Sequence, residues 1–172
     1  MNTEYKSLLP SEFSANSRVW IYQSSRLFSL QEALKIEDEL EAFASNWQSH
    51  GSPVKGFATL FFGRFIILMA DETMAGVSGC STDSSVRLIK NLETSFGVSL
   101  FDRQMLAFII KDQIELLPLA QLNYAFENSF ITGESIYFNN LVQTKQELID
   151  KWMIPLNKSW LALKIKALTA VT

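Results

Sequence analysis

Apolar positions change their spacing along the chain, and each change marks an element. In Arg18–Ser25 (RVWIYQSS) Val19, Trp20, Ile21 and Tyr22 follow one another, a β-branched and aromatic run that predicts a strand. The stretch before it, Met1–Ser17, is polar and mixed, and reads as an irregular lead-in. Ser29-Leu30-Gln31-Glu32 then places a Glu three residues after a Ser, the pattern of a capping box. Behind it Ala33, Ile36, Leu40, Phe43 and Trp47 recur every three or four residues and share one face of a helix. Glu37, Asp38, Glu39 and Glu41 lie largely off that face and read as a solvated surface. The helix is expected to end near His50-Gly51-Ser52-Pro53. Gly56–Phe62 and Phe65–Ala70 flank Gly63-Arg64, which predicts a hairpin, and the unbroken apolar run of its second strand predicts a central position. A small-residue loop, Asp71–Asp83, follows. Thr82 or Asp83 is placed to cap a second helix, with Leu88, Ile89, Leu92 and Phe96 as its apolar stripe and Gly97 as its stop.

Met105–Ile110 (MLAFII) predicts a fourth strand, and Ile114–Leu117 a further one ended by Pro118. Leu119–Phe126 reads as a short helix and Ser135–Phe138 as a short strand. Thr144-Lys145-Gln146-Glu147 is a second capping box, opening a helix through Trp152. Trp160, Leu161, Leu163, Ile165 and Leu168 supply a last amphipathic segment. The order β-α-β-β-α-β predicts an α+β fold with a ferredoxin-like split βαβ core over residues 18–117. That core is an antiparallel four-stranded sheet, order 4-1-3-2, with two helices on one face. The whole chain, 1–172, is then a single domain, with residues 118–172 a C-terminal helical extension packed on the core. The other sheet face needs cover, from those C-terminal elements or from a partner subunit.

Composition narrows the function. The chain has 172 residues, 48% of them hydrophobic and 13 of them Phe, enough for a real core. Its 15 basic and 18 acidic side chains leave a net charge of −3 with no basic block, which argues against nucleic acid as a partner. One cysteine and one histidine allow neither an internal disulfide nor a zinc cage, so no metal and no cofactor are expected. The N-terminus lacks the layout of a signal peptide, and no apolar run approaches the roughly 20 residues that span a bilayer. The expectation is a cytoplasmic protein with no membrane insertion.

Candidate chemistry gathers at one end of the predicted sheet. The topology brings the loop bearing Cys80, the helix-to-strand loop bearing His50, and Arg18 to the same edge, with Asp71, Glu72 and Asp83 nearby. Cys80 is read as preceding the second helix by two or three residues, where the helix dipole favours a thiolate, and a neighbouring imidazole would favour it further. Gly79, Ser81, Thr82 and Ser84 line the same helix entry and could hold an anion, although the carboxylate of Asp83 would compete for that cap. The bland alternatives are a buried Cys80 acting as a small hydrophobe and a helix-end His50. No complete catalytic set is present. The reading is therefore a non-catalytic binding or interaction module, expected to self-associate. Two alternatives stand beside it: an enzyme using Cys80 and His50 on an acyl or anionic substrate, and an anion or phosphate site at the helix N-terminus after Gly79.

Five stretches taken together carry a resemblance: SRVWIYQSSR (Ser17–Arg26), His50-Gly51, ADE…SGCSTDSSV (Ala70–Val86), LFDR (Leu100–Arg103) and FNNLVQTK (Phe138–Lys145). On these the chain resembles a family of uncharacterised proteins from Bacteroidetes bacteria, over about Pro10 to Trp160, whose members often carry the label "ABC transporter ATPase". The resemblance would imply ATP chemistry. Phe65–Glu72 (FIILMADE) is similar to the end of a Walker B strand, and Val77–Ser81 (VSGCS) to an ABC signature loop. No G-x-x-x-x-G-K-[ST] phosphate loop occurs anywhere in the chain, and the signature-like segment follows the Walker B-like strand instead of preceding it. The motifs thus give the label no support.

Overall fold

The computed structural model describes residues 4–49, 51–71 and 79–165, with side chains in the second helix described from Thr82 onward. The chain forms two compact units: Glu4–Phe101 with Leu141–Ile149, and Asp102–Asn140 with the chain from Asp150 on.

In the first unit, strand β1 (Arg18–Gln23) leads to helix α1 (Leu30–Asn46), a two-residue hairpin of β2 (Gln48–Ser49) and β3 (Ser52–Pro53), and strands β4 (Lys55–Phe61) and β5 (Phe65–Asp71). Helix α2 (Gly79–Phe96) follows. The sheet has the order β1-β5-β4, antiparallel throughout. The central place of β5 follows from its unbroken apolar run: all seven of its residues are buried. Its even-numbered Ile66 and Leu68 pack with Tyr22, with Ile36 and Leu40 of α1, and with Ile89 and Leu92 of α2, so both helices cover one face. Its odd-numbered residues point the other way, in register with Val19 and Ile21 of β1 and with Phe57 and Phe61 of β4.

That second face is covered from within the unit. Tyr5 packs on Phe61 with ring centroids 5.8 Å apart, and Phe13 on Phe57 at 6.4 Å. The Tyr5 hydroxyl donates to the Leu148 carbonyl at 2.6 Å, and the buried Lys145 ammonium donates to the carbonyls of Pro10 (2.7 Å) and Phe13 (2.8 Å). The lead-in that looked irregular in sequence is thus a built part of the core. Its apolar residues are too sparse to show a period, yet Tyr5 and Phe13 reach the sheet.

The expected four-stranded sheet of order 4-1-3-2 is not found among the described residues. Its first three strands form the 1-3-2 part, but Met105–Ile110 lies in another sheet. The flank of β1 is met instead by the 141–149 segment: the Val19 amide donates to the Gln143 carbonyl at 2.9 Å, and Arg18 forms a bridge with Thr144. The physical reason is local. Met105–Ile110 (β6) pairs along its whole length with β7 (Gln113–Pro118) through a two-residue turn, Lys111-Asp112, with both φ positive (48° and 61°). Closing a two-residue hairpin costs far less chain entropy than returning to β1.

The second unit extends that hairpin. Helix α3 (Leu122–Glu127) and strand β8 (Ile136–Phe138) follow β7, and after helix α4 (Lys145–Lys151) comes β9 (Met153–Pro155). The sheet order is β7-β6-β8-β9, and its core is built on Leu106, Phe108, Leu122, Tyr137, Leu156 and Leu161.

A groove along the edge of the first sheet

The site with the clearest geometry lies where α1 meets β4. Helix α1 starts on the capping box read in sequence: the Ser29 hydroxyl accepts from the Glu32 amide at 3.3 Å, and the Glu32 carboxylate accepts from the Ser29 amide at 2.8 Å. Ile36 and Leu40 turn inward and are fully buried, which leaves Glu37, Asp38 and Glu41 on the flank beside β4. The helix ends at Trp47, buried between Trp20 and Phe43 with ring centroids at 5.9 and 4.9 Å. Gly56 lets the strand approach this end closely. A Cβ there would lie 2.8 Å from Trp47 Cε3 and 3.4 Å from the Ala44 carbonyl oxygen.

Beside this contact an open cavity of about 510 Å³ runs between the two elements. One wall is α1, with Glu37, Asp38, Glu41 and Ser45. Strand β4 from Gly56 to Thr59 and the exposed Leu8 also line the cavity. Among the described residues no strand lies beyond β4 in its sheet. The Leu60 amide points away from β5 and donates to Glu37 Oε1 at 2.8 Å, with the Thr59 hydroxyl 3.4 Å from the same oxygen. Backbone groups alternate sides along a strand, so the amides and carbonyls of Gly56 and Ala58 also turn outward, toward the cavity. Among the described residues three carboxylates and no basic side chain line the space, which favours a cationic occupant. Among the described residues no group of three or more Asp, Glu, His or Cys side chains could hold a metal ion.

The residues singled out in sequence are placed as follows. Helix α2 begins at Gly79, so Cys80, Ser81 and Thr82 occupy its first turn and do not precede it. Ser, Thr and Asp serve in a first turn as well as at a cap, so Thr82 and Asp83 do not by themselves mark the start of the helix. The Ser85 hydroxyl donates to the Thr82 carbonyl at 2.7 Å, the back-bonding that lets a serine sit inside a helix. Thr82 and Ser84 are half-buried and Asp83 is exposed. The side chains of Cys80 and Ser81, the surroundings of Gly79, and the whole of His50 and Glu72 lie outside the described residues, and with them the expected Cys80–His50 pair. Arg18 is exposed, its guanidinium 5.0 Å from the Trp20 ring centre. Asp71 is buried at the end of β5, where its carboxylate accepts from Lys55 Nζ at 3.1 Å and from the Ser14 amide at 3.2 Å.

The groove was missed in sequence because its acids read as an ordinary wet helix face. Only the packing of α1 against a sheet edge distinguishes Glu37, Asp38 and Glu41 from their neighbour Glu39. Comparison with protein-family models, with characterised proteins and with solved structures finds no match. The resemblance described above therefore rests on the residues quoted for it. No helix among the described residues is long and apolar enough to cross a membrane.

Proposed function

We propose that this protein is a non-catalytic binding module whose ligand occupies the groove between α1 and β4. The observation that carries this reading is a sheet edge, open among the described residues, that lines a cavity of about 510 Å³. Edge strands expose backbone donors and acceptors, and proteins normally cover or blunt them. The cover of the second sheet face by residues of the same unit removes that face as a reason for a dimer. A second copy is therefore not part of the proposal. Panning a random-peptide display library against the wild type and Ser45→Trp tests it. Ser45 is exposed on α1 and lines the groove, so the indole fills the space without entering the core. Peptides enriched on the wild type and lost on Ser45→Trp are expected. Equal enrichment on both proteins, or none on either, overturns the reading.

A further inference from the structure

Resting on that reading, we infer that the occupant is an extended peptide segment of another protein, alternating basic and apolar side chains, which adds to β4 as a new strand.

The first ground is the state of the edge. All seven residues of β4 are paired in register with β5, so no bulge twists the edge away. No proline interrupts it. Its one charged residue, Lys55, is at the start, and its ammonium is turned to the Glu12 carbonyl (2.7 Å) and the Asp71 carboxylate (3.1 Å). Among the described residues, a bulge, a proline and an outward charge are therefore missing at Gly56 and Ala58. Only Leu60 is guarded, by Glu37. Strand addition uses such outward amides and carbonyls for affinity, and the side-chain pockets on either side for specificity.

The second ground is the chemistry of those two sides. Side chains of an added strand alternate between the faces of the sheet. On the α1 side they meet Glu37, Asp38 and Glu41; on the other they meet Phe57, and Leu8 adds apolar surface to the cavity. Glu41 neighbours both Glu37 and Asp38 on α1, at i+4 and i+3, whereas Glu37 and Asp38 diverge around the helix, and among the described residues no group of three acids suits a metal ion. Carboxylates spread over one helix turn suit cationic side chains on a strand better than a single small cation. Leu8 is 63% exposed and Phe57 half-buried, so the opposite face has apolar surface left to cover.

The probes are two acetylated, amidated hexapeptides, three Lys-Val repeats and three Glu-Val repeats, titrated into the full chain and followed by backbone amide NMR shifts. The Lys-Val peptide is expected to shift the Gly56 and Ala58 amides and to bind at least about tenfold more tightly than the Glu-Val peptide, with affinity falling as salt rises. Ala58→Pro removes one outward amide at a position where an edge strand tolerates proline, and is expected to weaken binding by about tenfold. A Lys-Val peptide N-methylated at alternate residues makes the same test without altering the protein, and its binding should vanish. Reversal of the wall by Asp38→Lys with Glu41→Lys should invert the preference between the two peptides. Equal binding of the two peptides, undiminished binding of the N-methylated one, or no binding of the Lys-Val peptide overturns the inference. If the library instead enriches non-basic sequences that Ser45→Trp excludes, the binding module stands and the basic strand falls.

Discussion

Gly56 shows how one missing methyl group sets the distance between a helix and a strand. Its absent Cβ would stand 2.8 Å from Trp47 Cε3, inside any tolerated contact. The indole cannot retreat, because Trp47 is 2% exposed and held by Trp20 and Phe43. Gly56→Ala should therefore force α1 and β4 apart and destabilise the protein by about 1–3 kcal/mol, read as a lower midpoint in urea unfolding. An unchanged midpoint would mean that the helix end shifts freely. In sequence Gly56 was only the first residue of an apolar run, since close approach is a property of two elements and neither one shows it alone. Asp71 teaches the same lesson. The sequence shows an acid at a strand end, and only the structure shows that its carboxylate accepts from Lys55 and from the Ser14 amide.

At the scale of elements, the local signals were legible where their partners are a few residues away. Both capping boxes mark helix starts, at Ser29 and at Thr144, where the Thr144 hydroxyl accepts from the Glu147 amide at 3.2 Å. Gly97 stops α2 with φ at 59°, and the Val98 amide returns to the Glu93 carbonyl at 3.2 Å, closing the helix end. The strand β6 was legible as a strand but its partner was not, because Lys111-Asp112 lacks the Asn-Gly signal of a two-residue hairpin turn. One unread contact ties two helix ends together. Arg26 donates to both carboxylate oxygens of Glu32 at 2.8 Å, and to the Phe96 carbonyl at the end of α2 at 2.7 Å. An acid at a helix start and a cation at a helix end both suit the helix dipole. The hydrogen bonds from Arg26, and then from the Ser29 amide, hold the Glu32 carboxyl down from its ordinary 4.5 to about 2, against an opposing effect of burial. Because the folded value lies below the unfolded one, this contribution to stability is fully present above pH 4.5 and is lost as pH falls through about 2. A carbon-13 NMR titration of Glu32 should show a midpoint near 2 in the wild type, moving up toward 4.5 in Arg26→Ala. A midpoint already near 4.5 in the wild type would refute the contact.

The first unit as a whole cannot be cut from the chain at Phe101, although every strand and helix of its sheet face lies before that point. Its closure depends on Leu141–Ile149. Gln143 pairs with Val19 at the flank of β1, the Lys145 amide donates to the Ser17 carbonyl at 2.9 Å, and the Gln146 amide to the Ala15 carbonyl at 2.9 Å. The Lys145 ammonium and Leu148 fasten Pro10, Phe13 and Tyr5 over the odd-numbered face of β5. These contacts join residues more than 120 apart, which is why no window of sequence reveals them and why the lead-in looked idle. Without the segment, buried apolar surface along Val19, Ile21 and Ile67 is left under a strap that has lost its anchors. A fragment ending at Phe101 is therefore expected to unfold without a cooperative transition and to bind a hydrophobic dye. A synthetic peptide of residues 141–151 added in trans should restore a cooperative transition, at a midpoint that rises with peptide concentration, since whatever binds only the folded form stabilises it by mass action. A fragment that melts cooperatively by itself, indifferent to the peptide, would show that the lead-in and the sheet hold together without the returning segment.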